Sequence, residues 1–347
     1  MSTMPEQMPP QPEDPGDQAS LQIPFTEPLP PDSWTNDPEM PRAQETCIDS
    51  EIRPIPYAVQ SDSEPALFAS YGRPQVFRTV RIPNFGHLCL LLLLLCFGWL
   101  GAGSLLMAAL HFHLFGISTL PAAITDFRYT LGSQAIQYFV TLAGSLVVFP
   151  LLWHKGFFEG VHWRGSTALR LRGRLITAAV LCFVAAMVNG LLLPGPSDAP
   201  IDRMFRVPGA AWVLFAFGVT LAPFFEELVF RGFLLPSLCT AYDWIVENLK
   251  GTAPLPPDEN GNPNWSLQAM TFASVITSIP FALMHGEQTS YSVGPFLLLI
   301  FVSLVLCWVR LSTRSLAAST LVHACYNFLL FSFMLFGTDG FKHLDKM

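Results

Sequence analysis

Seven apolar runs recur between residue 81 and the C-terminal end, at about 85–110, 135–153, 175–193, 210–236, 267–285, 293–309 and 316–336. About 20 consecutive apolar residues are enough for a helix to cross a bilayer. Inside the hydrocarbon every backbone polar group must be bonded within the protein, which leaves the α-helix as the natural answer to such runs. The pattern predicts an all-α, polytopic transmembrane helical bundle of seven spans, or eight if the shorter piece at 238–249 is added. Composition agrees: only 13% of residues are charged, against about 25% in soluble domains.

Residues 1–80 are of another kind. Thirteen prolines fall between Pro5 and Pro56, and 13 acidic residues face two arginines over residues 1–70. No apolar periodicity runs through them, so a disordered acidic, Pro-rich arm is expected. The implied division is 1–80 as arm, 81–205 as N-terminal transmembrane helices, 206–337 as a C-terminal transmembrane core, and 338–347 as a tail. The first 25 residues have no basic start followed by an apolar stretch, so no cleavable signal peptide is expected. Arg73, Arg78 and Arg81 precede the first run, and Lys155, Arg164, Arg170, Arg172 and Arg174 lie between the second and third. The excess of positive charge places this loop and the N-terminus in the cytoplasm. Arg310 and Arg314 suggest a further cytoplasmic turn. The seven cysteines include no Cys-x-x-Cys pair, so neither disulfides nor a cysteine-built metal site is expected. No basic block points to nucleic acid. The expected partners at this point are membrane lipids.

The fourth run holds an anomaly. Glu226, Glu227 and Arg231 lie in a stretch that is otherwise apolar. On insertion scales each such charge costs about 2.5–3.5 kcal/mol at a helix centre. Residues four apart share a helical face, so Glu227 and Arg231 can pair. Glu226 is turned about 100° away and can face another neighbour. One carboxylate is neutralised structurally while the other is left free. A carboxylate in apolar surroundings is a stronger base than in water, which suits proton abstraction from water near neutral pH.

The fifth run ends in Phe281-Ala282-Leu283-Met284-His285, and the seventh contains His323-Ala324-Cys325-Tyr326-Asn327. Each pair, Phe281 with His285 and His323 with Asn327, shares a helical face. A single histidine in an apolar helix is ordinarily a satisfied core residue. Three apolar helices that each bring groups of complementary chemistry are more informative. Glu can activate water, His can ligate a metal or share the proton, and His or Asn can donate to an oxyanion. The other histidines, at 87, 111, 113, 154, 162 and 343, sit near segment ends and read as interfacial.

Other intramembrane chemistries lack their motifs. There is no His-Glu-x-x-His and no Gly-x-Ser-x-Gly. Tyr242-Asp243 is followed by no Gly-x-Gly-Asp and reads as an interfacial pair. No inverted repeat supports a transporter. A non-catalytic membrane scaffold or immunity-type protein, with the same clusters acting as hydrogen bonds between helices, is the alternative reading.

Glu-Glu-x-x-x-Arg, Phe-x-x-x-His and His-x-x-x-Asn on successive apolar helices resemble the CAAX prenyl protease type II and bacteriocin-processing (CPBP, ABI) family. These are glutamate-dependent intramembrane endopeptidases, and the resemblance covers about residues 210–335. It implies hydrolysis of a peptide bond in a membrane-associated protein or peptide by water held and activated by Glu226 and His285. It assigns oxyanion stabilisation or metal ligation to His323 and Asn327. Glu227, Arg231 and Phe281 are then structural support. Members are often called metalloproteases. A divalent metal such as Zn2+ would have Glu226, His285 and His323 as its candidate ligands, though the sequence does not demand one. The expected location is a multi-pass membrane protein, in the plasma (inner) membrane if the source is bacterial.

Overall fold

A computed structural model describes residues 81–193, 200–207, 209–259 and 261–341. The arm expected over 1–80 lies outside them, as do His343 and most of the tail. Among the described residues the chain is helical, without strands. In order it forms α1 (Phe85–His111), α2 (Leu120–Thr125), α3 (Phe127–Trp153), α4 (Phe157–Gly160), α5 (Gly165–Arg170), α6 (Arg172–Leu192), α7 (Pro200–Phe205), α8 (Ala210–Val219) and α9 (Leu221–Glu227). A π-helical segment, Leu228–Leu234, leads into α10 (Leu235–Lys250), followed by α11 (Leu267–Met284), α12 (Val293–Thr313) and α13 (Leu316–Gly337). Seven stretches are long and apolar enough to cross a membrane. The protein is an integral, multi-pass membrane protein.

Two expectations are corrected here. The second span begins at Phe127, eight residues before the apolar run at 135. Asp126 caps it by accepting the Arg128 N–H at 2.9 Å, and the polar residues of its first turns hide its start from a hydropathy reading. The piece at 238–249 is not an eighth span. It is the body of α10, continuous with the fourth span over Ala210–Lys250.

α1 packs along α3, and Gly98 allows the contact. A Cβ there would stand 2.7 Å from both the Gln137 carbonyl and the Thr141 hydroxyl, so only glycine permits this backbone approach. α6 packs on α12 and α13, α11 on α10 and α12, and α13 on α8 and α9. Phe149, Trp153, Phe157 and Phe233 form a buried aromatic cluster beside the π-helical segment.

The fourth span is broken twice, each time at a proline. Pro223 has no N–H to give the Val219 carbonyl, and the helix kinks between α8 and α9. Further on, the Leu235 N–H bonds the Phe230 carbonyl rather than that of Arg231. Pro236 has no N–H with which to repair the deficit. The Arg231 carbonyl instead accepts from Arg310 Nε at 3.2 Å. Arg310 is therefore buried, 2% exposed. A freed helix carbonyl in a membrane protein is expected to find such a substitute.

Polar contacts pin the loops that launch α11 and α13. Asp243 accepts from the Ser266 N–H at 2.9 Å and hydroxyl at 2.6 Å, tying α10 to the cap of α11. It is buried against the protein. Arg314 pairs with Asp258 and bonds Asn264. Asn262 donates to Asp258 and meets His162 Nε2 at 3.0 Å. His162 is buried too, and its carbonyl accepts the Leu316 N–H at the start of α13.

Candidate active site

The carboxylate pair closes α9. Glu227 and Arg231 are both fully buried, and Arg231 Nη1 donates to Glu227 Oε1 at 2.9 Å. Arg231 Nη2 donates to the Ser303 carbonyl at 3.0 Å and hydroxyl at 2.7 Å on α12. The guanidinium lies 4.4 Å from the centre of the Phe281 ring, a cation–π contact in a dry setting. The same Phe281 ring stands edge-on to Phe230 and packs on His285 and His323. The supporting roles expected of Glu227, Arg231 and Phe281 thus meet in one cluster. Ser303 and Arg310, missed at the sequence level, join it. Ser303 is an ordinary small residue in an apolar run, with nothing to distinguish it. Arg310 stands at a run's edge, where positive charge normally signals topology.

Glu226 faces the other way, as its rotation requires. Its Oε2 lies 3.7 Å from His285 Nε2 and 3.7 Å from His323 Nε2. The side chains of Glu226 and His285 remain 12% and 18% exposed, while His323 is 5% exposed. Three residues from three distant helices are brought together.

The far edge of each imidazole fixes its tautomer. α11 ends at Met284, and the His285 backbone N–H turns to the Ala282 carbonyl. The Phe281 carbonyl is left for the ring, and His285 Nδ1 meets it at 2.9 Å. A carbonyl only accepts, so Nδ1 carries the hydrogen. His323 Nδ1 meets Glu227 Oε1 at 3.1 Å. That carboxylate is already paired with Arg231, so again Nδ1 donates. In the neutral rings both Nε2 atoms therefore present lone pairs toward Glu226.

Asn327 lies one turn further along α13 and serves a different neighbour. Its Nδ2 donates to the Gly218 carbonyl at 2.8 Å, bracing α8 just before the kink at Pro223. The His-x-x-x-Asn motif thus ties both halves of the broken span to α13.

Residues 208–329 match the family model described as Type II CAAX prenyl endopeptidase Rce1-like. Over these residues the chain is similar to the CAAX proteases. The match covers roughly a third of the chain and contains Glu226, Glu227, Arg231, Phe281, His285, His323 and Asn327. α1 to α7 lie outside it. Nothing among curated proteins or solved structures matches the chain. The CAAX protease match supports an endopeptidase activity exercised in the membrane on membrane-associated peptides.

Proposed function

We propose that the protein cleaves a peptide bond of a membrane-anchored substrate with a water activated by Glu226. The observation that carries this reading is the 3.7 Å gap from Glu226 Oε2 to each of two imidazole Nε2 atoms. That gap exceeds direct hydrogen-bond reach, whereas a water about 2.8 Å from Glu226 and from one imidazole can bridge it, giving one hydrogen to each. Held so, the water gives a proton to Glu226 as its oxygen attacks the scissile carbonyl carbon. The tetrahedral intermediate collapses with rupture of the C–N bond, and the proton returns from Glu226 to the leaving amine. His285 and His323 orient the water.

The donors that a divalent metal such as Zn2+ would require are right in kind. Two imidazoles, each with its Nδ1–H held by an acceptor, are typical metal ligands. Their spacing is less suitable. Tetrahedral zinc at ordinary bond lengths sets its donors about 3.3 Å apart. Among the described residues no group of three His, Cys, Asp or Glu is arranged to hold a metal ion. The mechanism above therefore runs through water and side chains alone.

The family description names a prenyl endopeptidase, so the substrate class proposed is a lipid-anchored C-terminal peptide. The proposed orientation puts the face between α3 and α6, with the N-terminus, in the cytoplasm; the basic residues on it support this. In a bacterial source the membrane would be the plasma membrane. The test is Glu226→Gln in full-length detergent-solubilised protein, with a farnesylated peptide ending in Cys-aliphatic-aliphatic-X. Loss of cleavage by at least a hundredfold, with the thermal unfolding midpoint unchanged, is expected. Cleavage at the wild-type rate would sink the assignment.

A further inference from the structure

A second polar cavity, of about 320 Å3, lies where α1 begins and α3 ends. Arg81, His87, Trp153, Lys155 and His162 are on its lining, which contains no carboxylate and none of the residues around Glu226. Its charge is one-sided. Arg81 Nη2 donates to Glu247 Oε1 at 2.7 Å, so that pair is neutral. Lys155 is half-buried, and among the described residues no carboxylate pairs with it.

The hydrogen bonding is one-sided too. His87 Nδ1 accepts the Asn84 backbone N–H at 3.1 Å, so the neutral ring carries its hydrogen on Nε2. Among the described residues that hydrogen has no acceptor. Trp153 is 7% exposed, and its Nε1–H, which can only donate, is buried without a partner. A buried donor of this kind is ordinarily satisfied. Lys155 adds an ammonium with three hydrogens. One side-chain acceptor is uncommitted as well. Asn262 donates from Nδ2 to Asp258 and turns Oδ1 to His162 Nε2, which leaves His162 Nδ1 as a lone pair without a partner.

Water can meet these donors but leaves the Lys155 charge uncompensated. An anion meets both, and phosphate offers several strong acceptor oxygens to donors arriving from different sides. The place in the fold suits a lipid. α1 and α3 are spans that end here, and Leu152, 53% exposed, stands on the lining beside the polar groups as support for an acyl chain. Basic pockets at the ends of membrane helices are known to take anionic headgroups.

We propose that this cavity is a phosphate site, in which Lys155, His87 Nε2–H and Trp153 Nε1–H hold the phosphate oxygens and His162 Nδ1 accepts from a hydroxyl of the same ligand. The source of the phosphate is a lipid headgroup or the free ion. The inference is independent of the role of Glu226, because it concerns helices outside the matched residues 208–329 and a different cavity.

The test uses full-length, delipidated protein in detergent with three probes: dioleoyl phosphatidylglycerol, dioleoyl phosphatidylcholine and inorganic phosphate. Native mass spectrometry follows the lipids, and the unfolding midpoint at constant ionic strength follows the ion. Phosphatidylglycerol should bind more tightly than phosphatidylcholine. Lys155→Met should weaken it about 10- to 100-fold, as for loss of a charge-assisted hydrogen bond. Trp153→Phe, which keeps an aromatic ring beside Phe149, should weaken it about 3- to 10-fold. Lys250→Met, a lysine that does not line the cavity, should leave binding unchanged. If inorganic phosphate raises the midpoint with the same dependence on Lys155 and Trp153, while the two lipids bind alike, the site stands and the free ion is its ligand. Equal losses in Lys155→Met and Lys250→Met would overturn the proposal in favour of general charge attraction. So would equal binding of the two lipids with no response to inorganic phosphate, the mark of an apolar crevice.

Discussion

His323 donates its Nδ1 hydrogen to Glu227 across 3.1 Å, and this bond decides what its other nitrogen can do. With Nδ1–H committed, Nε2 faces Glu226 as an acceptor. The two adjacent glutamates thus face opposite edges of one imidazole. Glu227 can hold that tautomer because Arg231 keeps it ionised in a fully buried position.

Replacing Glu227 by Gln should therefore reduce turnover more than it alters the fold. An amide can turn its NH2 toward Nδ1 and permit the opposite tautomer, with hydrogen on Nε2. A loss of about 10- to 100-fold in kcat is expected, as for other residues that orient a functional histidine. Cleavage of the farnesylated peptide, normalised to folded protein, measures it.

Arg231→Met should be the more damaging to stability. It leaves the Glu227 charge buried and unpaired, a change that costs about 3–5 kcal/mol. Removing both charges, in Glu227→Leu with Arg231→Met, should recover most of that stability while activity stays lost. Thermal unfolding of the single and double variants in detergent distinguishes a pair kept for stability from one kept for the site.

Pro236→Ala restores an N–H to the π-helical segment. An α-helical register there would rotate the chain beyond Arg231 by about 100° for the one residue gained. The unfolding midpoint should stay level or rise, while kcat falls. Unchanged kcat would show that the π-helical register is irrelevant to the placement of Glu226.

His162 gives the protein a pH-dependent stability outside the membrane-spanning helices. Burial, with help from nearby Arg310 and Arg164, pushes its pKa down from 6.5 to about 3. Between those values the unfolded chain binds a proton that the folded chain refuses. Stability is therefore fully present above about pH 6.5 and falls as the pH drops toward 3. The loss is on the order of a few kcal/mol. His162→Gln, which can keep a bond to Asn262, should flatten the unfolding midpoint over that interval. A wild-type slope in the variant would assign the acid loss to other groups.

Sequence alone determined the features that depend on neighbours along one helix. Apolar run length set the seven spans, and the four-residue spacing of Glu227 and Arg231 set their pairing and the divergence of Glu226. The order of the motifs also carried the family resemblance. Hydropathy missed the start of α3, where an aspartate cap and polar first turns mask a helix, and gave no sign that Arg310 serves a freed carbonyl.

What only the tertiary structure decided concerns partners far apart in the chain. Asn327 bonds Gly218 because Pro223 kinks the fourth span beside α13. Arg310 is buried because Pro236 leaves the Arg231 carbonyl without an N–H. Tyr138 meets Phe225 because α3 crosses the fourth span at that turn. Periodicity reports which face a residue occupies. Which lone pair meets which proton across helices depends on packing, and on these lone pairs the chemistry of the site rests.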